Sequence, residues 1–206
     1  MEYNYTKRNL LTNPEYYMYS EYWGINFISA YRKNRIDYID RVMHHIDYSN
    51  IVYENIDSFL DEFIQFDKRN RSFGSELIDI SLYLNSTREQ LKNGKYYKAK
   101  LLLKNLMHRF EIDKKIFKFY GFDLKRGSGA FDSLDNYIIF ALLLARAFEL
   151  SNNYQFLSSL LKVSDTILSL DVDETCDKKD LIGVRFLLEV EMRIIDQLIN
   201  DFGLEL

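Results

Sequence analysis

The chain has 206 residues, 47% of them apolar, so it is long enough to form one domain with a hydrophobic core. Its single cysteine excludes an intramolecular disulfide and a cysteine-rich zinc site. The net charge of −4 disfavours a dedicated nucleic-acid-binding domain, because such domains are usually basic. The first residues, MEYNYTKRNLL, contain no apolar signal-peptide segment, so we expect a soluble, cytoplasmic protein.

Long helical periods with few breakers predict an all-α chain. There are one proline and eight glycines in total, and no useful length of strand-like alternation occurs. We expect about eight or nine helices, arranged as a single-domain helical bundle or as stacked antiparallel helical hairpins. Residues 1–13 are predicted to form a flexible N-terminal arm, and residues 14–206 a single all-helical domain.

In chain order, the first predicted helix covers 14–32, with Asn13 as its N-cap and Pro14 at its first position. The second covers 35–48, and its spacing predicts a buried face formed by Ile36, Ile39, Met43 and Ile46. Later helices are predicted over 51–67, 75–92, 96–110, a short segment through 119, 133–150, 154–170 and 178–202. Gly94 should end the helix over 75–92.

The helix over 133–150, SLDNYIIFALLLARAFEL, is predicted to be the centre of the fold. Apolar residues occur on all sides of it, which is typical of a buried helix. Its unbroken apolar run, from Tyr137 to Ala145, is far shorter than the roughly 20 residues that cross a bilayer. We therefore expect a core element that is covered by the other helices.

The segment Gly94-Lys95-Tyr96-Tyr97-Lys98-Ala99 resembles the G-x-Y-x-x-A fragment of tetratricopeptide repeats, at the turn and second helix of each repeat. Asn153, Tyr154 and Leu157 resemble a degraded second copy, 58 residues later. The family period of 34 residues and its early tryptophan are not present. The resemblance implies stacked helical hairpins that present a protein-binding surface.

One candidate metal site lies on the predicted second helix. Its stripe consists of Asp37, Asp40, His44 and Asp47. A second stripe on the next helix consists of Glu54, Asp57 and Asp61. If the two stripes faced each other, their oxygens and the imidazole would suit a divalent metal. The alternative is that both are solvated faces of amphipathic helices.

A second candidate is the basic segment over 92–126, which has eleven Lys or Arg and three acidic residues. Lys100, Lys104 and His108 fall on one stripe of the predicted helix over 96–110. Such a face suits a phosphate backbone or another anion. The alternatives are solvated lysines or a contact with an acidic protein surface, including the acidic C-terminal part of another copy.

A third candidate is the glycine-rich loop over 121–132, where Lys125 and Arg126 precede the central helix. Backbone amides and a helix N-terminus suit a phosphate-like ligand, although the loop lacks a P-loop motif. Arg146, within the apolar helix, either pairs with an acid, which is the local Glu149 or one from another helix, or extends to the surface along its aliphatic stem.

No nucleophile–base–acid arrangement stands out, and the leading hypothesis is a non-catalytic interaction module of the adaptor, accessory-subunit or inhibitor type. We expect no cofactor and no membrane partner. The expected partner is a protein, with self-association as one form. The alternatives are an enzyme or binding domain for an anionic small molecule at 121–132, and nucleic-acid binding through 92–126.

Overall fold

The computed structural model shows a helical protein. It describes residues 32–33, 35–42, 44, 53, 55–67, 80–120, 134–168 and 178–202. Helix α1 comprises the helical residues at 32–33, 35–42 and 44. The other helices are α2 Ile56–Asp67, α3 Ile80–Lys92, α4 Tyr96–Tyr120, α5 Leu134–Ser151, α6 Tyr154–Leu168 and α7 Lys178–Phe202. All regular secondary structure in these residues is α-helical, as the sequence predicts.

The described residues contain seven helices, slightly fewer than the eight or nine that the sequence predicts. One difference is that the two helices predicted over 96–110 and through 119 form one continuous helix, α4. Neither proline nor glycine occurs between Tyr96 and Tyr120, so nothing in that stretch breaks the helix. The predicted arm over 1–13 and nearly all of the predicted helix over 14–32 lie outside the described residues.

The described helices belong to two compact units. One contains α1, α6 and α7, and the other contains α2 to α5, with the boundary in the turn between Asn152 and Asn153. Asn152 adopts a positive φ of 50°, and its backbone N–H donates to the Phe148 carbonyl. Asn153 caps the next helix by accepting from the Gln155 N–H. The expectation of a single domain over 14–206 stays a prediction.

Helix α5 is the buried helix that the sequence predicts. Thirteen of its eighteen residues are buried, and they occur on all sides of the helix. Within its unit, helices α2, α3 and α4 pack against it. The Phe110 ring of α4 meets Tyr137 edge-on at 5.6 Å between centroids, and Phe140 lies at 6.1 Å. These rings fasten the middle of α4 to the N-terminal half of α5.

Helix α2 begins later than predicted, at Ile56 rather than 51, because Asn55 caps it. The Asn55 side-chain oxygen accepts from the Ser58 N–H at 2.8 Å. Its carbonyl accepts the first helical bond from the Phe59 N–H at 3.2 Å. Its buried face consists of Ile56, Phe59, Leu60 and Phe63.

The hairpin from α3 to α4 turns at Asn93 and Gly94, as predicted. The Gly94 N–H donates to the Leu91 carbonyl, and the Lys95 N–H donates to the Gln90 carbonyl. These two bonds form a Schellman motif, which needs a left-handed residue after the helix end. Gly94 supplies it with a φ of 66°. The tight turn lets α4 return along α3.

The core face predicted for α1 is wrong at Ile36. Ile36, which the spacing predicts to be buried, is 41% exposed, whereas Tyr38 and Val42 are buried. Ile39 is half-buried, and Met43 and Ile46 lie outside the described side chains. The reason is Arg35, which is only 3% exposed and orients the helix through ion pairs.

Arg35 connects the three helices of its unit. Its Nη2 donates to Asp165 Oδ1 of α6 at 2.9 Å, and its Nε lies 3.0 Å from Glu191 Oε2 of α7. Glu191 is 1% exposed. A buried charge is tolerated only when it is paired, so the Arg35–Glu191 pair specifies how α1 packs on α7.

We predict that replacing Gly94 with alanine destabilises the protein by about 1–2 kcal/mol, because an L-residue is strained at this positive φ. A Cβ at Gly94 would contact nothing within 4 Å, so steric overlap adds no further cost. The Gly94→Asn variant should lose less stability than the alanine variant, since asparagine tolerates the left-handed region. Urea unfolding midpoints measure both losses. Equal stability of the alanine variant and the wild type would contradict the Schellman assignment.

We predict that Glu191→Leu destabilises the protein by about 3 kcal/mol or more, because it leaves the buried Arg35 without its buried carboxylate. Arg35→Met combined with Glu191→Leu should recover most of that loss, because no buried charge remains unpaired. Thermal and urea unfolding of the two variants provide the comparison. The coupling would be refuted if the double variant were less stable than the single one.

Candidate functional site

The most distinctive surface in the described residues is the solvent face of α4. We call it the basic ridge and define it by its exposed residues, Tyr97, Lys98, Lys100, Leu101, Lys104 and His108. The opposite face of the same helix is buried and consists of Ala99, Leu103, Leu106 and Phe110. One face of α4 therefore belongs to the core, while the other is open.

The basic ridge carries unusual apolar exposure. Tyr97 is 82% exposed and Leu101 is 53% exposed. They lie one helical turn apart and therefore adjoin on the surface. Tyr96, Tyr97 and Leu101 are, with Ile36 of α1, the large apolar residues that are exposed in the part of the chain that the structure describes. Apolar exposure is thus concentrated at the start of α4.

The lysines of the basic ridge are not neutralised locally. None of Lys98, Lys100 and Lys104 forms an ion pair with another described residue, and the first turn of α4 has no acidic residue. The Lys95 carbonyl accepts the first helical bond from Ala99, which makes Lys95 the N-cap. Its side chain has no acceptor oxygen for the free N–H groups. The lysines therefore add to the positive end of the helix dipole.

The sequence prediction of Lys100, Lys104 and His108 as one stripe agrees with the structure, which places all three on the exposed face of α4. The same prediction missed Tyr97 and Leu101, which lie on the same exposed face. The sequence did contain a signal for them, because they form an apolar pair spaced four residues apart that lies outside the core-facing positions of this helix. Whether the stripe binds an anion stays a prediction.

Arg146 is the remaining candidate anion-binding residue that the structure describes, and it is already paired with carboxylates. Its Nη2 lies 3.0 Å from Asp57 Oδ2 of α2, and its Nη1 donates to Glu149 Oε2 at 3.1 Å. Both of the pairings that the sequence allowed, a local acid and one from another helix, are therefore present. Two carboxylates neutralise this cation, and an anionic ligand would have to displace them.

Lys125 and Arg126, together with the loop over 121–132, lie outside the described residues. The anionic-ligand site predicted there stays a prediction.

The Asp61 side chain of α2 is held by two cations. Asp61 pairs with Arg88 and, at 3.2 Å, with Lys92, both on α3. Burial lowers the pKa of the Arg88 guanidinium, while the charges of Asp57 and Glu89 raise it. Arginine still stays protonated at neutral pH, so this largely buried cation needs its carboxylate. Asp61 therefore serves to fasten α2 to α3.

The candidate metal stripe of α1 is exposed to solvent where it is described. Asp37, Asp40 and His44 all lie on the surface, and Asp47 is outside the described residues. Among the residues that the structure describes, no three His, Cys, Asp or Glu side chains are grouped so that they could hold a metal ion. Of the second stripe, Asp57 and Asp61 are engaged by cations, and Glu54 is not described.

Sequence reasoning also missed the Arg35–Glu191 pair. A signal existed, because Glu191 lies among Leu187, Leu188, Ile194 and Ile195 at helical spacing, and so interrupts an apolar face. An acidic residue at such a position predicts a buried partner of opposite charge. The identity of that partner required the three-dimensional structure.

Comparison with known proteins adds no family. No family model, no curated protein and no solved structure matches the chain. The resemblance of 94–99 to tetratricopeptide repeats therefore rests on that short sequence fragment alone. Among the described helices, none combines the length and the apolarity that are needed to cross a membrane.

We predict that Lys98→Glu stabilises the free protein by about 0.3–1 kcal/mol more than Lys104→Glu does. Lys98 is the third residue of α4, where the helix dipole disfavours a cation, whereas Lys104 lies two turns further on. Each glutamate gains one neighbouring lysine, Lys95 or Lys100, so these contributions largely cancel. Urea unfolding at low salt measures the difference, and a destabilised Lys98→Glu variant would contradict the argument.

Proposed function

We propose that this protein is a non-catalytic helical interaction module that binds another protein through the basic ridge of α4. The observation that carries the proposal is the exposure of Tyr97 and Leu101 among lysines that form no ion pair with another described residue. Exposed aromatic and aliphatic side chains are common anchors of protein interfaces, and a charged rim selects the partner.

The energetic cost of the ridge supports the proposal. Lys98 lies at the end of α4 where a cation is least favourable, and Tyr97 leaves a large apolar surface in water. Neither feature stabilises the free protein. Residues that reduce the stability of the free chain are typical of surfaces whose stabilising contacts form only in a complex.

The acidic total charge favours a protein partner over nucleic acid. The net charge is −4, and an excess of basic over acidic residues occurs only in the middle of the sequence, where 73–134 has 12 basic and 7 acidic residues. A nucleic acid is repelled by most of such a chain, whereas a protein segment can dock on the ridge alone. The described part of the ridge is also the convex solvent face of one helix, whereas small-molecule sites are usually concave pockets.

A photo-cross-linking experiment tests the proposal. Benzoylphenylalanine replaces Tyr97 in one variant and Ser86, which is exposed on α3, in the other. In cells that naturally produce the protein, we expect discrete protein adducts from position 97 and none of the same mass from position 86. Adding Lys98→Glu and Lys100→Glu to the first variant should abolish them. Identical adducts from both positions, or adducts that survive the charge change, would refute the proposal.

A further inference from the structure

The exposed residues of the basic ridge have the spacing of a helix–helix seam. Tyr97, Leu101, Lys104 and His108 are separated by four, three and four residues, which places them on one line along α4. This alternation is the spacing of the facing positions in a coiled coil, where two helices pack along each other. The line is continuous because α4 is unbroken from Tyr96 to Tyr120.

The flanking positions of this seam are also occupied in a regular way. Lys98 and Lys100 fall on its two sides, at the positions that form interhelical salt bridges in coiled coils. Both are exposed, and neither is paired with a described residue. A helix that packs on the seam would therefore place its own flanking side chains beside two ammonium groups.

From this arrangement, we infer that the partner segment bound by the basic ridge is a single acidic amphipathic helix, packed along α4 with coiled-coil spacing. The inference rests on the proposed function and names the chemistry of its partner. The bound helix has apolar residues against Tyr97 and Leu101 and carboxylates against Lys98, Lys100 and Lys104. These carboxylates neutralise the lysines, while the apolar residues cover the exposed ring and the leucine.

The length of the ridge sets the length of the partner helix. Tyr97 and His108 are eleven residues apart, which corresponds to about 17 Å at 1.5 Å per residue. A helix of roughly 12–15 residues covers that distance. The same ridge of a second copy does not fit, because its flanking lysines would lie opposite Lys98 and Lys100 and repel them.

Two fluorescent 14-residue peptides test the inference with the full chain. Both have leucine at the seam positions that face Tyr97 and Leu101. Both also have a side-chain staple on the far face that keeps them helical, because free peptides of this length are marginal helices. One has glutamate at the flanking positions and opposite Lys104, and the other has lysine at the same positions. Fluorescence anisotropy should show that the glutamate peptide binds about tenfold or more tightly than the lysine peptide.

Charge reversal distinguishes a seam from general electrostatic attraction. Lys98→Glu with Lys100→Glu should reverse the order of the two peptides. A matched control, Lys33→Glu with Lys178→Glu, changes the net charge equally at exposed positions outside α4 and should keep the wild-type order. Leu101→Ser should weaken binding of the glutamate peptide without changing that order.

Three results would overturn the inference. The first is equal binding of the two peptides, and the second is the same reversal by the control variant. The third is that a 15-nucleotide oligothymidylate binds more tightly than the glutamate peptide and loses this binding in the Lys98→Glu, Lys100→Glu variant. That result would assign the ridge to single-stranded nucleic acid. If cross-linking at position 97 succeeds while the glutamate peptide fails to bind, the helical partner is wrong and the interaction function stands.

Discussion

A helix of eighteen residues with thirteen of them buried, such as α5, is stable only when other helices cover it on several sides. Helices α2, α3 and α4 pack against it within one unit. The core side of α4 is fixed by that packing through Phe110 and its contacts with Tyr137 and Phe140. Because a helix has only one buried stripe here, the remaining side of α4 is open, and this is where the basic ridge lies.

Charges have two different roles in this molecule. The arginines at 35, 88 and 146 are paired with carboxylates of other helices and fasten those helices together. The lysines of the basic ridge have no such partners among the described residues. Paired cations stabilise the fold, whereas the lysines of the basic ridge lie in water.

The sequence predicts those parts of the fold that depend on local patterns. The all-round apolar pattern identifies α5, and the Asn93-Gly94 stop identifies the end of α3, because each depends on neighbouring residues. The buried face of α1 is predicted wrongly, because Arg35 is buried through partners on α6 and α7 that are far away in the sequence. The extent of α4 is also underestimated, since a change in apolar spacing does not by itself end a helix.

The candidate site is likewise predicted only where it depends on local spacing. A helical stripe of Lys100, Lys104 and His108 is visible from spacing alone, but the exposure of Tyr97 and Leu101 is not. Spacing places Ala99, Leu103 and Phe110 on one face of the helix, and packing then shows that this face is buried while Tyr97 and Leu101 lie in water. The ion pair of Arg146 with Asp57 likewise could not be predicted without knowing that α5 contacts α2.

The central claim is that α4 buries one face against α5 and leaves the opposite face in water. Hydroxyl-radical footprinting of the full chain, analysed residue by residue by mass spectrometry, tests it most directly. The structure predicts rapid oxidation of Tyr97 and Leu101 and strong protection of Phe110 and Tyr137. Oxidation of Phe110 and Tyr137 at the rate of Tyr97 would contradict the account.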